Sequence, residues 1–141
     1  MITRKVTKNI WFHELVSKEY LEGKTGISDY EMRLLDIGLL TDMQTIRDFF
    51  GKPMIINDGD KFNWRGLRTE QYDNYSPSSM HSWWKAYDFH IDGVDVEEVR
   101  QHIIKNRDIM YERIGAIEED VNWIHVDSRY RPDGSLLRFK P

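Results

Sequence analysis

The apolar positions of this chain change their spacing from one stretch to the next. Leu35, Leu39, Met43, Ile46 and Phe50 recur at steps of three and four residues, which makes one stripe on a helix. Ser28 or Asp29 stands where a cap is needed, with Glu31 in the first turn, so the spacing predicts one helix from Ser28 to Gly51. Gly38 within it costs about 1 kcal/mol of propensity. Gly51 ends the helix, and Pro53 cannot continue it. A second helix opens at Asp95, which with Glu98 resembles a capping box, and Val96, Val99, Ile103 and Met110 form its buried side.

Two other stretches alternate with period two. In 86–91, Ala86, Asp88 and His90 share one face, and Tyr87, Phe89 and Ile91 the other. In 123–127, Trp123, His125 and Asp127 share a face while Ile124 and Val126 point to the core. Both read as half-buried strands with a polar face. Met54-Ile55-Ile56 and Leu136–Phe139 read as short strands. Asn57–Asp60 and Pro132–Ser135 are turns by composition. Gly115 breaks the chain before Ala116-Ile117-Glu118.

The remaining stretches have no clean period. Residues 9–16 predict a short docking segment or a single helical turn, and residues 22–28 a loop. Residues 61–80 carry aromatics and arginines without regular spacing. A stretch of that length predicts an ordered, functional loop. No repeat, low-complexity tract or linker divides the chain, so residues 1–141 are expected to form one domain.

Composition narrows the function classes. The net charge is −4, with no basic run, which argues against a nucleic-acid partner. Cysteine is absent, so a metal would have to be held by His and carboxylates. Met1–Lys5 is not followed by an apolar signal core, and no apolar run is long enough to span a membrane. The expectation is a soluble chain made in the cytoplasm without a signal peptide.

The candidate chemistry lies on the polar strand faces. His81 and Asp88 stand seven positions apart, and 123–127 supplies a third ligand, His125. Two imidazoles and a carboxylate, with one position left open, suit a catalytic zinc ion. Taken alone, a His near an Asp is more often a hydrogen-bonded pair. His90 and Asp127 share the ligands' faces and are expected to orient an imidazole or hold water, with His90 also a candidate fourth ligand. His13 and His102 read as ordinary. Trp83, Trp84 and Trp123 are candidates to line a groove, although aromatic clusters more often build core.

Two segments carry a resemblance. Ser79, His81, Ala86 and Asp88 match a Ser-x-His-x-x-Gly-x-Ala-x-Asp pattern, and Trp123-Ile124-His125-Val126 matches Trp-[Ile/Val]-His-[Val/Ile]. Gly66-Leu67-Arg68-Thr69 stands where a Gly-Tyr-Arg-Ser/Thr segment would lie. Trp11–Val16 and Ile46–Pro53 match the pattern's earlier segments. Together these resemble peptidase family M15, the D-alanyl-D-alanine carboxypeptidase type of zinc peptidase, and most closely its short phage-associated and bacterial branch. The resemblance implies zinc on His81, Asp88 and His125, with Arg68 binding or polarising the substrate carbonyl or carboxylate. For the catalytic base it implies Glu118, with Glu119 and then Asp120 as alternatives. Two positions depart from the pattern. Trp84 replaces a glycine, so the turn there is expected to differ or the groove to be reshaped. Asn122 stands where relatives carry an acid three before the last His, and an amide cannot abstract a proton.

The resulting expectation is an α+β fold of hedgehog/DD-peptidase type. A small antiparallel sheet would carry helices on one face and the zinc site on the other. The implied function is zinc-dependent hydrolysis of peptide bonds in peptidoglycan stem peptides or cross-links, acting at the cell wall after release. The rival is a non-catalytic metal- or cell-wall-binding module of the same fold. A metal-dependent nuclease is a third class, disfavoured by the acidic balance. Neither a membrane nor a nucleic acid is an expected partner.

Overall fold

The computed structural model describes residues 2–141. Four α-helices and five strands form an α+β fold: α1 (Lys18–Leu21), α2 (Asp29–Leu34), α3 (Ile37–Phe50), β1 (Met54–Ile55), β2 (Ala86–Ile91), α4 (Val96–Met110), β3 (Ala116–Glu118), β4 (Ile124–Asp127) and β5 (Leu137–Phe139). The sheet order is β1-β2-β4-β3-β5. The first four strands pair antiparallel, but β5 runs parallel to β3, so the sheet is mixed. No helix among the described residues is long and apolar enough to cross a membrane.

The single helix expected over 28–51 is two. Ser28 and Glu31 form a reciprocal capping box at the start of α2. Leu35 then turns extended, and the Asp36 carboxylate accepts the Leu39 N–H at 3.1 Å to start α3. A side-chain cap competes with the helical path, and here it breaks the helix while leaving the apolar stripe in register. Leu35, Leu39, Met43 and Ile46 are all buried. Gly38 sits in the first turn of α3 because the Arg113 side chain crosses it on its way to Asp36. Gly51 ends α3 in the left-handed region, φ 64°.

Alternation sorts the sheet into two faces. Tyr87, Phe89, Ile91, Ile117, Ile124 and Val126 join Val99 and Ile103 of α4 and the α3 stripe in one buried apolar cluster. At the far end of α4 the expectation fails. Met110 is exposed, and its neighbour Tyr111 is the residue that is buried there. The opposite face is polar, and it carries the site.

The irregular segments are tied down. Phe12–Glu14 form one 3-10 turn whose Phe12 is fully buried. Leu15 offers its carbonyl to the Leu67 N–H at 2.8 Å, and the Asn57 side chain bridges Val16 to Arg65. The 61–80 loop is thereby fixed against the N-terminal segment. Gly66 is required at that crossing, since a Cβ there would lie 2.1 Å from the Leu15 carbonyl oxygen.

Candidate metal centre

The strand register places the polar side chains in a row. Asp88 of β2 pairs with His125 of β4. The β3–β4 register pairs Ala116 with Asp127 and Ile117 with Val126, and one further step puts Glu118 opposite His125. Glu118 pairs in turn with Phe139 of β5. Asp88, His125, Glu118 and Phe139 therefore lie side by side across four strands. His81 arrives from a 3-10 turn, Met80–Trp83, that immediately precedes β2. Ser79 caps this turn by accepting the His81 N–H.

His81, Asp88 and His125 are all buried, and one ligand atom from each lies within 4.8 Å of the other two. The surroundings fix which atoms these are. His81 Nδ1 donates to the Gly66 carbonyl at 2.8 Å, which leaves Nε2 facing inward as an acceptor. His125 Nε2 donates to Asp127 at 2.9 Å, which leaves Nδ1 facing inward. His81 Nε2 lies 3.3 Å from His125 Nδ1 and 3.3 Å from Asp88 Oδ1, and His125 Nδ1 lies 2.8 Å from the same oxygen. Three lone pairs converging at such distances need a cation among them. In the metal-free protein a proton meets that need. Burial opposes charge on His125, but Asp127 and Asp88 outweigh it and hold the imidazole up to about 9. Burial likewise opposes charge on Asp88, and its contacts with His125 and His81 hold the carboxyl well below the usual range. The donor set, two imidazole nitrogens and one carboxylate oxygen with their outer hydrogen bonds already made, fits a divalent metal.

The outer partners complete the arrangement. Asp127 is fully buried, and it accepts from Arg129 through Nε at 2.8 Å and Nη2 at 2.6 Å. Arg68 Nη2 donates to Asp88 Oδ2 at 3.0 Å, and its Nε donates to the Trp64 carbonyl at 2.9 Å. Its guanidinium lies over the Tyr72 ring. Arg68, Glu118, Tyr72, Trp123 and Phe139 line one cavity of about 480 Å³ together with the three ligand residues.

The profile of peptidase M15 matches residues 10–127, most of the chain, and spans both ligand segments. The chain belongs to the peptidase M15 family. No curated protein and no solved structure matches it. M15 membership and the His81–Asp88–His125 cluster together point to a metal-dependent peptidase.

Several expectations change at this point. Trp84, where the M15 pattern has glycine, is expected either to change the turn or to reshape the groove. Instead it adopts the left-handed region itself, φ 64° and ψ 23°. That conformation costs a non-glycine residue about 1–3 kcal/mol. The offset comes from packing, since the Trp84 ring sits 5.9 Å from Phe12 and 5.7 Å from Tyr20, centroid to centroid. Trp84 thus belongs to the core side of the turn and does not line the cavity, and Trp83 is largely exposed. His90 stands apart from the ligands. It pairs with Ile55 on β1, accepts from Arg65 Nη1 at 2.8 Å and faces Phe62.

The three acidic candidates separate in space. Glu119 pairs with Arg138 and Asp120 with Lys140, whereas Glu118 faces the cavity. Asn122 lies in a neighbouring cavity. Sequence reasoning missed the Gly66 carbonyl and Arg129. Extending the 123–127 alternation by two residues would have placed Arg129 beside Asp127. Nothing in the sequence marks a main-chain carbonyl as a histidine's partner.

Proposed function

We propose that the protein is a zinc peptidase that hydrolyses peptide bonds in peptidoglycan stem peptides or cross-links. The observation that carries this reading is the convergence of three ligand atoms in a cavity that the Glu118 side chain also lines, in a protein of the M15 family. Zinc held by His81, Asp88 and His125 would supply Lewis acidity to the substrate carbonyl and to water. Glu118 accepts a proton at its carboxylate from the attacking water and passes it to the departing amine nitrogen. Arg68 is held by Asp88 and Trp64, and its remaining N–H groups are free to donate to the carbonyl oxygen as negative charge develops there. The same Arg68–Asp88 contact fixes the orientation of the carboxylate ligand.

The test has two parts. Elemental analysis should find one zinc per chain, and chelation should lower the melting temperature. Glu118→Gln should retain zinc while losing about 10²–10⁴-fold in turnover of muropeptides. A wild-type protein that holds zinc but turns over no muropeptide would favour the rival binding module. A protein without zinc, whose melting temperature ignores chelator, would defeat the proposal.

A further inference from the structure

Beside the metal centre, Lys61 and Arg65 are placed over the Phe62 ring, and neither makes an ion pair among the described residues. They line a cavity of about 580 Å³ that shares Asp88 and Trp123 with the cavity of the ligands. The main chain of Arg65 is anchored against a ligand: its carbonyl accepts the Asp88 N–H at 2.7 Å, and its N–H donates to Asn57 Oδ1 at 2.8 Å. Its half-buried side chain donates through Nη1 to the Ile55 carbonyl at 3.2 Å and to His90 Nδ1 at 2.8 Å. The guanidinium lies 3.5 Å from the centre of the Phe62 ring, and Lys61 Nζ lies 5.2 Å from it. A ring face holds a cation in place without neutralising it. The nearby carboxylates are engaged elsewhere. Asp88 is a ligand and accepts from Arg68, Asp95 caps α4, and Asp58 accepts the Asp60 and Phe62 N–H groups. Burial outweighs the pull of Asp88 and Asp58 and lowers the guanidinium from its ordinary value. The charge of Arg65 is thus desolvated and incompletely compensated, which favours an anion from outside the chain.

His90 adds a neutral donor. A guanidinium can only donate, so His90 Nδ1 accepts and the ring proton sits on Nε2. That N–H, and the Nε and Nη2 groups of Arg65, have no hydrogen-bond partner among the described residues. We infer that this cavity binds a carboxylate of the substrate, held by the open N–H groups of Arg65, the Nε2–H of His90 and the charge of Lys61. This rests on the peptidase reading given above and supplies a specificity determinant for it. The planar fork of a guanidinium matches the two oxygens of a carboxylate, and donors fixed beforehand lose little freedom on binding. His90 lies two residues beyond Asp88 on the same face of β2, about 7 Å along the strand. The recognised carboxylate therefore stands about two residues of extended peptide away from the bond at the metal. Two arginines divide the work: Arg68 serves the reacting carbonyl, and Arg65 selects which peptide is placed there.

The test uses stem peptides that differ in one group, with a side-chain carboxylate free or amidated, or the terminal carboxylate free or amidated. For the zinc-loaded protein, kcat/KM of the free acid should exceed that of the amide by about 10–100-fold at one of these positions, which identifies the source of the carboxylate. Arg65→Gln should bring that ratio close to one. Lys61→Gln, a change on an exposed residue, should lower it about threefold. The ratio is read within each variant, so a partial loss of folded protein cancels. Binding of the same peptides to Glu118→Gln, read by tryptophan fluorescence because Trp123 lines the cavity, should show the same preference. Equal rates and equal binding for acid and amide overturn the inference and leave the peptidase reading intact. A preference that Arg65→Gln leaves undiminished also overturns it. Preferential binding of the acid by a protein that cleaves neither form upholds the carboxylate site and counts against the peptidase reading.

Discussion

The carbonyl oxygen of Gly66 accepts the Nδ1 proton of His81 at 2.8 Å, and this contact decides which nitrogen of His81 faces the other ligands. The same glycine lies so close to Leu15 that a Cβ would meet its carbonyl oxygen at 2.1 Å. Gly66→Ala must therefore displace the loop, and His81 loses its orientation with it. The expected outcome is a loss of about 10–100-fold in zinc affinity, measured by chelator competition, and a lower melting temperature. Unchanged affinity would show that the contact does not orient the ligand.

Asp127 does the equivalent work for His125. Replacing it with Asn keeps the size but allows the amide to present either a donor or an acceptor to Nε2, and it weakens the double contact to Arg129. Asp127→Asn should lower zinc affinity by about 10–100-fold. Chelator competition at fixed pH measures this, and circular dichroism should show the fold retained.

Acid stability should depend on Glu31. Burial opposes its charge, but Lys24, the Ser28 backbone and hydroxyl, and Tyr20 outweigh burial and hold its carboxyl down at about 2. A depressed folded value means that the stabilisation is complete above the ordinary carboxylate value, about 4.5. It is lost as pH falls from there toward about 2. The melting temperature of the wild type should fall across that window, and Glu31→Gln should be less stable at neutral pH but show a shallower acid decline. An equally steep decline in the variant would place the acid sensitivity elsewhere.

Tyr87 presents the opposite case. It is fully buried, and its hydroxyl is without a hydrogen-bond partner among the described residues. Burying an unpaired hydroxyl is unfavourable, so Tyr87→Phe should be neutral or more stable by about 1 kcal/mol. A chemical denaturation curve measures it, and a loss above about 1 kcal/mol would reveal a partner for that hydroxyl.

Much of the site could be read in the sequence because strands encode their faces in a period of two. Asp88, His125 and Asp127 fall on polar faces by counting alone, and the core residues between them fall on the other. Features set by tertiary contact could not be read this way. The break at Asp36 leaves the apolar stripe of the helix intact, so periodicity gives no sign of it. The parallel course of β5 depends on how residues 128–136 return, which no local pattern records. His90 shares a face with Asp88, yet two residues along the strand carry it into the company of Arg65 and Phe62. Trp84 breaks a local backbone rule, and only the Phe12 and Tyr20 rings beside it show what offsets the strain.

The row formed by Asp88, His125, Glu118 and Phe139 ties metal binding to strand alignment. A slip of one residue between β2 and β4 would turn Ile124 and Val126 outward and send His125 into the apolar layer. Only one alignment of β2, β4 and the His81 turn offers all three ligand atoms to one ion. The bound metal would thus act as a lock on strand register, and its uptake during folding would report that the sheet has assembled correctly.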